Sequence, residues 1–197
     1  MKKWLFGLAC VGMMAVSAWG DLTTPATLPT EYTGASGWSN ATLDAMTGWD
    51  ATGLGTPYAA PNASAKMDTA GDNIVIYFNG APGEIVYSIR RSDTAAMTNA
   101  FEAKVQESAN TNSWTDVRTF NGSELNGTLA IFTNALASAS RYVRFVYVTK
   151  ATGQNFGLGY VKITSGGAAV YGVTFDQASG FTMEEGTTDA IQATAAN

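Results

Sequence analysis

The sequence predicts an all-β protein, a jelly-roll β-sandwich of about eight antiparallel strands with an N-terminal signal helix and an incomplete C-terminal β segment. Three observations predict it. Short stretches of period-two alternation recur at about the 8–12-residue spacing of sandwiches and barrels, separated by Gly, Pro, Asn and Asp. No segment carries heptads or a sustained helical period. Only 14% of residues are charged, against 21 glycines and many Thr, Ala, Ser and Asn, a composition suited to strands joined by tight turns.

Lys2 and Lys3 precede an apolar run from Trp4 to Val16, and Ala18-Trp19-Gly20 supplies small residues where a signal peptidase reads. Residues 1–20 therefore read as a secretory signal peptide, with cleavage between Gly20 and Asp21 and a secreted or cell-surface product. The apolar run is shorter than the ~20 residues that cross a bilayer, so no membrane insertion is expected once the signal is removed. Cys10 is the only cysteine, and the apolar stretch before it is too short for a lipid-attachment signal. It leaves with the peptide.

That removal narrows the chemistry. With no histidine anywhere and no remaining thiol, a Cys nucleophile, a His base and His- or Cys-ligated zinc are excluded, and the chain is expected to be non-catalytic. Without disulfides, stability rests on core burial. Losing Lys2 and Lys3 leaves nine basic residues against sixteen acidic ones, a net charge of −7. Such a surface argues against nucleic acid or anionic lipid as the main partner.

Residues 21–64 read as an extended lead-in with Pro25 and Pro29, followed by an irregular stretch whose Trp38, Trp49 and Tyr58 pin long loops to the sandwich. The β-sandwich core is assigned to 65–163, within a domain of 21–165. Its eight expected strands are 65–69, 72–78, 84–91, 98–108, 114–120, 128–132, 141–149 and 156–163. In the second, Ile74, Ile76 and Phe78 share one face while Val75 and Tyr77 share the other, so it is central. Asn79-Gly80-Ala81-Pro82-Gly83 makes a turn before Ile85, Tyr87 and Ile89 point inward. Phe101, Ala103 and Val105 point inward too, with Glu102, Lys104 and Gln106 in water. Single helical turns are expected at 93–100 and 133–140. The expected core includes Ile74, Ile76, Phe101, Val105, Val143, Phe145 and Val161.

Several motifs sharpen this. Ser108, Asn110, Asn112 and Trp114 form a strand end, a polar turn and an opening tryptophan, and Ser140-Arg141-Tyr142-Val143-Arg144 forms an aromatic-and-arginine strand. Over about residues 65–163 the pattern resembles discoidin-like, galactose-binding-like β-sandwich modules of secreted bacterial surface proteins. The segment from Lys150 to Ile163, with Gly153, Asn155, Leu158 and Val161, is similar to the closing strand of such modules in secreted nucleases and surface proteins. Gly159 stands where they usually carry Asp, and the cysteines of true discoidin domains are missing. The resemblance implies a binding or structural module. Beyond the Thr164–Gly167 link, Val170–Phe175 and the Glu184-Glu185-Gly186 turn resemble the opening of an immunoglobulin-like repeat over 168–197. The chain thus reads as the N-terminal part of a longer modular protein, with downstream domains as partners.

Candidate sites follow. Trp38, Trp49, Tyr58 and Trp114 could stack on sugar rings, a possible glycan being the expected ligand, or could close the ends of the core. Asp68 and Asp72 flank a glycine turn and could begin a structural calcium site, although a solvated hairpin turn is the favoured reading. Arg90, Arg91, Arg141 and Arg144 could grip a carboxylate, or pair with acids along the strands. Glu102 and Glu107 are of the right type for glycoside hydrolysis, with no sign that they converge. Three functions remain open: a module for adhesion or carbohydrate binding, a structural spacer, and an accessory domain of a secreted hydrolase.

Overall fold

A computed structural model describes residues 22–92, 101–121 and 123–166, together with the strands at 181–184 and 192–195. In the first unit, Met1–Gly166, the described residues build an all-β, two-sheet sandwich. Its elements are β1 (Ala26–Thr27), β2 (Thr30–Tyr32), α1 (Asn40–Asp44), β3 (Trp49–Thr52), β4 (Gly55–Tyr58), β5 (Ser64–Met67), β6 (Asn73–Asn79), β7 (Pro82–Arg91), β8 (Glu102–Ser108), β9 (Thr115–Phe120), β10 (Ala130–Ala135), β11 (Tyr142–Thr149) and β12 (Phe156–Ser165). The first sheet runs β1-β6-β11-β8-β9 with β3 also on β6, and the second runs β10-β7-β12-β5-β4 with β2 also on β12. Every pairing is antiparallel except β1 with β6.

The eight expected strands correspond to β5–β12. The sandwich has twelve, because the lead-in is itself woven into both sheets. Trp49 pairs with Ile76 on β6, and Tyr32 with Val161 on β12. Left alone, those stretches of β6 and β12 would present unpaired backbone groups beside the core. Segments of two to four residues are too short to display an alternation, which is why they read as loops. Helix α1 was also not expected. Ser39 caps it, its Oγ accepting from the Thr42 amide, and Leu43 is fully buried.

Two turns differ from expectation. Residues 133–140 hold no helical turn: β10 continues to Ala135 opposite Glu84, and the chain reverses through a turn closed by Ser140 N donating to Ala137 O. Only Gly80 and Ala81 separate β6 from β7, with Gly80 at φ +92°. The other expected helical turn, 93–100, lies outside the described residues.

The core matches the alternation. Ile74, Ile76, Val105, Val143, Phe145 and Val161 are fully buried, as is nearly all of Phe101. Tyr87 is edge-on to Phe120 and Phe145 and stacks on Phe132, so aromatic rings bridge the two sheets. Burial raises the Tyr87 hydroxyl well above its ordinary pKa, and pushes Tyr147, which donates to Gln154 O, up to about 12.

In the second unit, Gly167–Asn197, β13 (Phe181–Glu184) pairs antiparallel with β14 (Gln192–Ala195). The rest of the expected immunoglobulin-like opening lies outside the described residues.

Candidate functional site

The loop tryptophans do not form a sugar platform. Trp38 and Trp49 are 2% and 3% exposed, packed edge-on to Tyr32 at centroid distances of 4.8 and 5.8 Å. Trp49 falls on an inward position of β3, opposite Ile76. Trp38 is accommodated because residue 34 is glycine at φ +80°, where a Cβ would lie 2.1 Å from the indole nitrogen. Neither ring can reach a ligand. Tyr58 is half-buried over the Arg90 guanidinium at 4.3 Å, and its hydroxyl is buried without a hydrogen-bond partner among the described residues.

Asp68 and Asp72 have local roles. Asp72 Oδ2 accepts from the amides of Asp68 and Thr69, both at 2.8 Å, closing the turn before β6. Burial raises the Asp72 pKa against the lowering effect of those hydrogen bonds. Asp68 pairs with Lys66 at 3.0 Å. No cluster of three or more acidic, His or Cys ligands occurs among the described residues, and a calcium ion would need several more oxygens than this turn brings together. Gly159 has a packing reason: a Cβ there would meet Leu129 Cδ1 at 2.5 Å and Ser88 Oγ at 3.1 Å.

The remaining charged candidates separate in the same way. Glu107 Oε2 accepts from Ala137 N and Ser140 Oγ, pinning the loop between β10 and β11. Arg141 donates to the carbonyls of Ser138 and Ser140, and Arg91 to that of Leu125. Glu102 pairs with Lys104 at 3.2 Å.

What the sandwich does bring together is a set of side chains on the outer face of the first sheet. Antiparallel register places Tyr77 beside Tyr142, and on the next outward rung Val75, Arg144 and Gln106 lie side by side with Asp116 beyond. The two tyrosine rings stack at 4.6 Å and 10°. Trp114 lies over the Arg144 guanidinium at 4.2 Å and remains half-buried. From Arg144 a chain of bonds crosses the sheet. Arg144 Nε donates to Gln106 Oε1 at 2.6 Å, Gln106 Nε2 donates to Asp116 Oδ1, and Lys104 Nζ reaches Asp116 Oδ2 at 2.8 Å.

The electrostatics of this strip are balanced, Glu102 and Asp116 against Lys104 and Arg144. Hydrogen bonds from Lys104, and then from Gln106, hold Asp116 below its ordinary pKa of 3.8. Burial lowers Arg144, which stays a cation at any physiological pH. Both carboxylates of the strip contact Lys104, so neither is placed as an acid–base pair. The chemistry offered is recognition: an indole backed by a fixed cation, beside donors and acceptors locked by their neighbours.

Sequence reasoning assigned Lys104 and Gln106 to water, but Gln106 is buried, its amide held between Arg144 and Asp116; it singled out Trp114 and Arg144, and missed Tyr77 and Tyr142 as a pair. The outward position of Tyr77 on β6 was the available signal. Its partner depends on long-range register.

No family model matches the chain, and no curated protein does. Among solved structures it is similar to the K3 cleaved adhesin domain of Lys-gingipain from Porphyromonas gingivalis, at 14% identity over 61% of this chain and 93% of that one, with a TM-score of 0.48. It is also similar to the CBM36-1 domain of a multidomain xylanase from the hindgut metagenome of Trinervitermes trinervoides, at 13% identity over 64% and 95% of the two chains, with a TM-score of 0.44. A third likeness is to a family 29 carbohydrate-binding module from Piromyces equi, at 11% identity over 61% and 83%, with a TM-score of 0.42. These likenesses carry no argument about a ligand. The two-sheet sandwich rests on the strand pairing described above.

Proposed function

We propose that this chain is an extracellular, non-catalytic glycan-binding module whose ligand lies on the outer face of the first sheet. The observation that carries the proposal is Trp114 held over Arg144 beside the Gln106–Asp116–Lys104 chain. An indole face matches the C–H face of a pyranose, while the carboxylate of Asp116 and the ammonium of Lys104, set in position by the buried Gln106 amide and by each other, match its hydroxyls. Because the two acids of the strip are matched by two bases, the expected ligand is a neutral glycan.

Trp114→Ala tests this. Binding to a neutral polysaccharide, read on a glycan array and by affinity electrophoresis, is expected to weaken at least about tenfold, ~1.4 kcal/mol. Fold stability is expected to change by no more than about 1 kcal/mol, the worth of an exposed cation–π contact. A wild-type protein that binds nothing on a broad array overturns the proposal in favour of a spacer.

A further inference from the structure

We propose that Asn79, at the turn between β6 and β7, is a site of self-modification at which the chain converts its own side-chain amide to aspartate and isoaspartate. Asn-Gly occurs three times, at 79–80, 121–122 and 126–127. Glycine matters because the reaction closes a five-membered ring through the following backbone nitrogen, and a residue without Cβ leaves that nitrogen uncovered. The carboxamide decides between the sites. Asn126 Oδ1 accepts from Thr128 N at 2.8 Å and from Thr128 Oγ1, and the Asn126 carbonyl accepts from Arg91 N at 2.9 Å, so its side chain is tied to residue 128 and its backbone to β7. Asn121 Oδ1 accepts from Ser123 Oγ at 3.0 Å. Asn79 instead bonds the residue that attacks it: Gly80 N donates to Asn79 Oδ1 at 2.9 Å, which sets the nitrogen beside Cγ. Asn79, Gly80 and Ala81 are exposed, and a Cβ at Gly80 would meet nothing within 4 Å, so water and base reach the turn.

Gly80 N gives up its proton to a solvent base and attacks Cγ of Asn79. The N–Cγ bond forms, the Cγ–Nδ2 bond breaks, and Nδ2 leaves as ammonia carrying the equivalent of that proton, which gives a succinimide. A water molecule then opens the ring. Attack at Cγ leaves aspartate, and attack at the main-chain carbonyl carbon leaves isoaspartate, whose backbone runs through Cβ and Cγ and is longer by a carbon. The sum consumes water and releases ammonia, with no oxidant, cofactor or enzyme. The turn that changes also fastens its neighbours. Thr27 of β1 pairs with Asn79, Gly166 N donates to Ala81 O at 2.7 Å, and only Gly80 and Ala81 carry the chain from the first sheet to the second. A longer backbone at 79 breaks that register, and either product adds a negative charge to an acidic chain, so β1 and Gly166 loosen as the protein ages.

Peptide mapping of the folded full chain, held at mildly alkaline pH, is expected to show the mass gain of an NH2-to-OH exchange at residue 79 at least about tenfold faster than at 126, whose carboxamide must first break two hydrogen bonds. In guanidinium chloride the three sites are expected to react alike, because the fold that separates them is gone. Isoaspartate at 79, read by an isoaspartyl methyltransferase, is expected to accompany faster amide exchange in β1 and at Gly166, a change that Asn79→Gln prevents. Residue 121 or 126 reacting first in the folded chain, equal rates at all three sites before unfolding, or isoaspartate at 79 with unchanged exchange in both places overturns the inference.

Discussion

Each outer face of the sandwich holds an arginine beneath an aromatic ring: Arg90 under Tyr58 at 4.3 Å on the second sheet, and Arg144 under Trp114 at 4.2 Å on the first. The pairs are alike in chemistry and opposite in setting. Arg90 is 4% exposed, and it lies against Gly157, where a Cβ would meet Arg90 Cγ at 2.7 Å. Ser64 and Ser88 beside it are buried as well, so that face is sealed by the β4 strand and by Leu129 packing on Gly159. Arg144 lies half-buried under Trp114, and from it bonds lead sideways along the sheet through Gln106 to Asp116 and Lys104. The same contact is thus sealed over its arginine on the second sheet and half-buried on the first. What distinguishes them is cover, which a residue pattern does not report.

Burial as the deciding variable meets its severest test at Trp49. If this ring is core, Trp49→Ala costs about 3–5 kcal/mol in chemical denaturation and leaves glycan binding per folded molecule unchanged. A small loss of stability with loss of binding would instead return Trp49 to the ligand site. The matched arginines come next. Arg90→Ala is expected to cost about 2–3 kcal/mol, because a buried cation with its hydrogen bonds and packing is removed. Arg144→Ala is expected to cost about 1 kcal/mol and to weaken glycan binding. Equal costs, read from denaturation midpoints, would show that the two faces are not different in kind.

The smallest expected effect is on pH. Asp116 has a folded pKa below its unfolded value, so its contribution is present above the ordinary 3.8 and is lost as pH falls through the lower folded value. Asp72, raised by burial, has the opposite sign, and its protonation on acidification favours the folded state. Acid titration of Asp116→Asn is therefore expected to lack one acid-destabilising contribution, with a slightly shallower loss of stability below about pH 4 than in wild type. Identical acid limbs would show that the Lys104–Asp116 contact contributes nothing measurable.

Most of the eight expected strands were legible because they carry enough alternation to set their own faces: Phe101, Ala103 and Val105 go in, and Glu102 and Lys104 go out, whereas Gln106, expected in water, is buried between Arg144 and Asp116. The lead-in was not. Ala26–Thr27 and Thr30–Tyr32 acquire strand geometry from the partners they meet, β6 and β12, rather than from any pattern of their own. Likewise Trp38 and Trp49 sit in a turn-rich stretch that reads as surface until the pairing of β3 with β6 turns Trp49 inward. Of the candidate strip, Trp114 and Arg144 were visible as residue types, and the outward direction of Gln106 followed from parity. That Tyr77 meets Tyr142, and that Asp116 lies next to Gln106, depends on registers between segments far apart in the chain.

The pairing of β2 with β12 also sets a timetable. Tyr160 on β12 donates to Glu31 on β2, 129 positions away in the sequence, and Lys162 sits 3.6 Å from the same carboxylate. β2 must wait, unpartnered, for β12. Folding dominated by such distant pairings is slow, because the loop must close before the contact rewards it. A chain that has not yet released Ile163 therefore has no way to complete its second sheet.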